Sequence, residues 1–390
     1  MPRTLIAMLV VMLALVVGAL WLGPGGEAPV RATVSVAEAM ASDTVGYARA
    51  VAVRPFHFPE DHGPHPDFKN EWWYFTGNLA TETGRRFGYE LTIFRFALAP
   101  PQAAAPRASA WGTRQLYMAH FALTDVAGGR FLPFERFSRG AAGLAGARAE
   151  PFRVRLEDWT LEAAPDGLPA MRLHASDDGA AIDLTVRPLK PIVLQGDRGL
   201  DRKSDRPGNA SYYYSMTRLE TEGTVVVDGE AFAVRGLSWM DREWSTSALG
   251  EEQVGWDWFA LQLDDGRDLM YYRLRTRDGQ AGPHSDGVLV GAEGAVRKLP
   301  REAVALDVRG HWRSPRGDAV YPARWRLRVP SERLDLDLTP LLDDQEIDGA
   351  VRYWEGAVRV AGTADGRPVS GYGYVELTGY DAAGATPLSR

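Results

Sequence analysis

The densest concentration of residues able to do chemistry is Trp239-Met240-Asp241-Arg242-Glu243-Trp244, followed after a short gap by Trp256-Asp257-Trp258. If the first stretch is extended, Trp239, Asp241 and Glu243 share one face, because side chains alternate along a strand. Two carboxyls beside an indole make a low-dielectric setting in which one acid stays protonated at neutral pH. Such an acid can protonate an alkene or enol while its partner guides water. The competing reading is an Arg242–carboxylate ion pair closing a barrel end, with the tryptophans as core, and spacing alone favours it. His120 shares a strand face with Leu116, Met118 and Ala122 and so faces a core or a ligand cavity. His57, His62 and His65 cluster in a segment broken by three prolines. Metal sites want ligands on rigid elements, so imidazoles fixing a loop are favoured over a metal centre there.

The elements that must position these residues are strands. Phe87, Tyr89, Leu91 and Ile93 alternate with polar or small residues; so do Ile182, Leu184 and Val186, then Trp325, Leu327 and Val329, then Leu334, Leu336 and Leu338. Period-two ladders mean strands with one face in a core. Asp228-Gly229 and Asp365-Gly366 read as tight hairpin turns. The 41 Gly and 25 Pro among 390 residues are therefore turn punctuation. Zero cysteines exclude disulfides, thiolate metal sites and thiol nucleophiles, and a net charge of −7 argues against nucleic acid as a partner. Neither a nucleophile elbow nor a phosphate-binding or dinucleotide loop is present.

An internal echo divides the chain. Trp72, Phe75 and Leu79 recur in spacing as Trp256, Phe259 and Leu263, each set followed by a Gly-containing turn and another strand. Two related β units in tandem are expected, over 55–210 and 211–390, behind a linker at 33–54. The polar stretch 195–211 reads as a linker or lid. Residues 1–32 begin with Arg3 and an uncharged apolar run from Leu5 to Leu22, which predicts a signal peptide or membrane anchor. The protein is then expected in the periplasm or secreted, anchored to the inner membrane if that segment is not cleaved.

Longer segments carry a family resemblance. His65 through Gly77, Gly236 through Trp244, Pro340 through Glu346, Tyr353 through Gly356 and Gly373 through Tyr380 resemble the lipocalin-like AttH and carotenoid 1,2-hydratase family, often called secreted hydrolases. The resemblance implies an all-β fold of two tandem lipocalin-like, calycin-type antiparallel barrels. It further implies a cofactor-free hydratase or isomerase that protonates an alkene, a hydro-lyase in preference to a hydrolase. Hydratase members carry histidines around the central Asp motif, where this chain has Met240 and Arg242. On these grounds Asp241 is the expected acid and Glu243 its partner. Trp239, Arg242, Trp244, Trp256, Asp257, Trp258, Glu71, Trp72, Trp73, Tyr74 and His120 are the expected lining of an apolar, isoprenoid- or lipid-like ligand. No metal or other cofactor is expected. The alternative is a non-enzymatic lipid carrier, or an accessory protein with an envelope transporter as partner.

Overall fold

The computed structural model describes residues 44–103, 109, 112–246, 249–250 and 252–380. The expected export segment lies outside the described residues. The first thirteen strands are β1 (Asn70–Ala80), β2 (Arg86–Ala97), β3 (Gln115–Asp125), β4 (Arg130–Arg139), β5 (Ala145–Arg148), β6 (Arg153–Leu156), β7 (Trp159–Ala163), β8 (Met171–Asp177), β9 (Ala180–Pro188), β10 (Val193–Leu194), β11 (Leu200–Arg202), β12 (Ala210–Val227) and β13 (Glu230–Ser245). They form one antiparallel, barrel-like sheet. Ten more form a second: β14 (Gln253–Leu263), β15 (Asp268–Thr276), β16 (Asp286–Val290), β17 (Val296–Lys298), β18 (Ala305–Arg313), β19 (Val320–Val329), β20 (Leu334–Pro340), β21 (Glu346–Asp348), β22 (Arg352–Ala364) and β23 (Arg367–Thr378).

The two sheets are wound alike. In the first, the order is β4-β3-β2-β1-β13-β12-β9-β8-β7-β6-β5; in the second it is β17-β16-β15-β14-β23-β22-β20-β19-β18. In both, four strands meander one way, and the sheet's last strand returns to pair with its first. The hairpins β1–β2 and β14–β15 that carry the sequence echo thus hold equivalent places. The expected hairpin turns are present: Asp228-Gly229 and Asp365-Gly366 have positive φ at both residues, the geometry of a type I′ turn, which follows the right-handed twist of the strands.

The boundary expected at 210/211 does not separate the sheets. Residues 210–245 are β12 and β13, which complete the first sheet, and the chain passes to the second between Ser245 and Gln253. Nor is 195–211 a linker. Its short strand β11, like β10 before it, pairs with β12, and its charges are used in ion pairs described below. Polarity suggested a tether, but these polar groups face partners.

In the strands at the meeting of the two sheets, alternation sorts side chains onto two buried faces. Phe75 and Leu79 of β1, Phe87, Leu91 and Ile93 of β2 and Met240 of β13 face the first sheet's own core. Phe259 and Leu261 of β14 and Val375 of β23 face the second sheet's core with Trp325 and Trp354. The opposite faces of the two sheets pack against each other through Tyr74, Tyr213, Trp239, Trp258, Tyr272 and Tyr374. That sheet-to-sheet layer positions the candidate site.

A candidate active site between the sheets

Strand register builds a polar row across the inner layer of the first sheet. Glu135 stands opposite His120, His120 opposite Thr92, Thr92 opposite Tyr74, Tyr74 opposite Asp241 and Asp241 opposite Ser215. A second row crosses the facing sheet, from Glu355 to Glu376 to Trp258 to Tyr272. The rows touch. Tyr74 donates to Glu355 Oε1 at 2.6 Å, its ring meets Trp258 edge-on at 5.3 Å, and His120 Nδ1 lies 2.5 Å from the Tyr353 hydroxyl.

Asp241 sits at the centre of the first row. It accepts three hydrogen bonds, from Trp239 Nε1 at 2.7 Å, Ser215 Oγ at 2.5 Å and the Tyr213 hydroxyl at 2.5 Å. Burial pushes its carboxyl up to about 7, against the pull of those donors and with a push from Glu243. Glu243, two residues on, lies on the same face, where Lys203 Nζ approaches Oε1 at 3.2 Å. Burial raises the Glu243 carboxyl, and Lys203 opposes the rise. Burial disfavours the charge on Lys203 as well, but Asp201, at 2.5 Å, and Glu243 together outweigh it and hold its ammonium charged. Glu243 is therefore one arm of a buried cation–carboxylate cluster and not a free partner to Asp241. Lys203→Met leaves Asp201 and Glu243 without their cation, and urea unfolding at neutral pH is expected to show a loss of about 3 kcal/mol.

Three more carboxyls complete the layer. Burial drives Glu355 and Glu90 well above the carboxylate range, and the neighbouring Glu376 adds to both effects. Glu376 itself is pushed up to about 8, by burial first and then by Asp241 and Glu243, while its hydrogen bond from Trp256 Nε1, at 3.0 Å, pulls the other way. Some accessibility remains on this layer. Trp72, Trp256 and Glu376 are only half-buried and Asp241 keeps 4% of its surface, whereas Trp73, Phe75, Arg242 and Trp244 on the opposite face keep none.

Eight of the expected site residues therefore share this layer: Trp72, Tyr74, His120, Trp239, Asp241, Glu243, Trp256 and Trp258. Five do not, and strand parity is the reason. Glu71, Trp73, Arg242 and Trp244 point into the first core, where Arg242 and Arg95 both ion-pair with Glu71. There His65 stacks on Trp244 at 3.7 Å, and Arg242 lies 4.0 Å from the centroid of Trp73. Burial works against ionising Glu71, but Arg242 and Arg95 outweigh it and hold its carboxyl well below the usual range. Asp257 faces the second core, bound by Arg273, Arg275 and Tyr380 at 2.5, 2.9 and 2.9 Å. The ion pair that the plainer sequence reading assigns to Arg242 is real, but its carboxylate is Glu71, and Asp241 is left free of it. The histidine-rich segment is likewise tied into the fold, with His62 Nδ1 2.6 Å from the Tyr214 hydroxyl and His65 Nε2 2.9 Å from Asp61.

Sequence reasoning does not single out Glu90, Glu355, Glu376, Tyr213, Ser215 or Lys203. For Glu376 a signal exists. The pattern aromatic-x-acid occurs in β13 as Trp239-Met240-Asp241 and in β23 as Tyr374-Val375-Glu376.

The profile of the AttH-like family matches residues 49–380. The chain belongs to that family. A crystal structure assigned as AttH from Nitrosomonas europaea shares 36% identity with this AttH-like chain at a TM-score of 0.74, covering 85% of this chain and 99% of that one. The crystal structure of kievitone hydratase from Nectria haematococca is similar in fold, with a TM-score of 0.63 at 17% identity over 86% of this chain and 97% of that one. A kievitone hydratase of Fusarium solani subsp. phaseoli is 24% identical over 219 residues, which are 54% of this chain and 61% of that relative's length. Fold and family thus agree with the expectation of an all-β, lipocalin-like protein.

Proposed function

We propose that this AttH-like protein is a cofactor-independent hydratase that holds a long apolar, unsaturated ligand between its sheets and adds water across a double bond. The observation that carries the reading is the pair of acids, Asp241 and Glu376, raised to about 7 and about 8 within one aromatic layer. A carboxylic acid that keeps its proton at neutral pH can protonate an alkene, and an ordinary surface carboxylate cannot. Trp72 and Trp256 present π faces that stabilise the cation formed. The likeness to kievitone hydratase supports the reaction class. A lipid carrier needs apolar walls alone and has no use for desolvated acids, which cost stability. Action outside the cytoplasm, directed by the first 32 residues, belongs to the same proposal.

The test uses two probes, lycopene in detergent and kievitone, each incubated with the full chain in ¹⁸O-labelled water. Mass spectrometry is expected to find a labelled alcohol from at least one. If both probes quench tryptophan fluorescence and neither takes up label, the carrier reading replaces this one.

A further inference from the structure

We infer that Glu376, and not Asp241, is the acid that gives up its proton at this site, and that Asp241 is the base that receives one from water. This rests on the hydratase reading and deepens it. Trp72 matches Trp256 and Phe75 matches Phe259, so Tyr74 matches Trp258. Tyr74 stands opposite Asp241 on the last strand of its sheet, and Trp258 stands opposite Glu376 on the last strand of the other. Asp241 and Glu376 are therefore the same position in the two units. The sheets pack through these faces, which puts the two carboxyls on facing walls of one layer.

Equivalent positions have been given different surroundings. Both hydroxyls that touch Asp241 have their proton direction fixed from behind. Gln195 Nε2 donates to Ser215 Oγ at 2.8 Å, and Trp258 Nε1 donates to the Tyr213 hydroxyl at 3.3 Å. Each hydroxyl then donates onward to Asp241, and Trp239 Nε1 can only donate. Three committed donors form a cage for the carboxylate anion, which favours the ionised form. Glu243, the nearest acid on Asp241's own strand, shares the single cation Lys203 with Asp201 and pushes Asp241 the other way.

Glu376 has the opposite setting. One indole N–H reaches it, from Trp256. The ladder places it beside Glu355, which accepts from Tyr74. Glu90, which accepts from Thr92 on its own strand, and Asp241 and Glu243 across the layer are the other ionisable groups that bear on it or on Glu355. All of these are acids. A carboxyl surrounded by carboxyls keeps its proton. Glu376 is also the half-buried member of the pair, next to the half-buried Trp256.

The chemistry balances. The alkene π pair takes the proton from Glu376, forming a C–H bond and leaving the Glu376 carboxylate and a carbocation. A water oxygen bonds to that cation, and Asp241 accepts the proton the water releases. The proton then returns from Asp241 to Glu376 through solvent, and the net change is alkene plus water to alcohol. Both carboxyls end as they began.

The assignment is tested without any ligand, by infrared titration of the full chain and of its Glu376→Gln and Asp241→Asn variants. The wild-type-minus-Glu376→Gln difference is expected to show a protonated carboxyl band that survives to a higher pH than the one in the wild-type-minus-Asp241→Asn difference. Should the Asp241 band outlast the Glu376 band, the assignment is overturned. If Glu376→Gln does not fold, Glu376→Asp carries the comparison, with a displaced band in place of a missing one. On whichever probe is hydrated, Glu376→Asp should move the alkaline limb of the pH–rate profile and leave the acid limb in place. Glu376→Gln should lower kcat by roughly 10²- to 10⁴-fold; kcat unchanged in that variant also overturns the assignment. Failure of wild type to hydrate either probe would count against the hydratase reading alone, because the infrared order is read independently.

Discussion

Glu71→Gln is expected to destabilise the fold by about 3–5 kcal/mol at neutral pH, the cost of removing one partner from a buried charge cluster. Glu71 is the shared carboxylate of Arg95 and Arg242, and none of the three side chains is exposed. It also accepts the backbone N–H of His65, at 3.0 and 3.1 Å. Arg242 in turn donates to the carbonyl of Gly63 at 2.7 Å, and Arg95 to that of Phe68 at 2.7 Å. The cluster therefore ties the proline-rich entry segment across the end of the first core. A neutral amide at position 71 leaves two guanidiniums buried with no counter-charge. The pH dependence has a definite sign. Glu71 is held below its unfolded-state value, so its stabilisation is complete above that value and lost as pH falls through the folded one. Urea unfolding of wild type and variant should thus show the widest gap near neutrality and a narrowing gap in acid. A gap that stays constant down to strongly acidic pH would contradict the account.

The same residue shows what was legible in the sequence. Period-two ladders are local, so the strands, the hairpin turns and the tandem echo could all be read from residue spacing. Parity could group Trp239, Asp241 and Glu243, because alternation needs no knowledge of the partner sheet. It could not say which parity faces which core. In most half-buried strands polarity answers that question, but β1 is buried on both faces, with only Trp72 and Ala80 half-exposed among its eleven residues. Alternation therefore puts Glu71 and Tyr74 on opposite faces of β1 without saying which face meets the second sheet. Segment 195–211 misleads for a related reason. Its charges resemble those of a solvated tether, and only the pairing of β11 and β13 with β12 brings Lys203 to Glu243. Glu376 was within reach, since the echo extends to aromatic-x-acid in the last strand of each sheet. The acids around it become a site only when the two sheets meet.

Glu355→Gln is expected to act in the opposite direction from Glu71→Gln and to stabilise the protein. Glu355 is fully buried, accepts one hydrogen bond from Tyr74, and has Glu376 beside it on the neighbouring strand. Its carboxyl is raised well above the usual range, by burial first and then by Glu376 and Glu90. The unfolded chain releases this proton in mild acid while the folded chain keeps it, so the folded state binds more protons and stability falls as pH rises. Each such group costs about 1.4 kcal/mol per pH unit across that window. A glutamine has the same shape, still accepts from Tyr74 and has no proton to retain. The advantage of the variant over wild type should therefore grow by about that amount per pH unit from mild acid to neutrality, as read by urea unfolding at a series of pH values. A variant that is less stable than wild type at every pH would mean that Glu355 is ionised and paired in the fold. Under the proposed function, acids kept at such a cost are the trade expected of a functional site. Glu71 and Glu355 are both buried glutamates of one chain, and the sign of their pH dependence separates the one whose charge stabilises the fold from the one whose retained proton costs stability as pH rises.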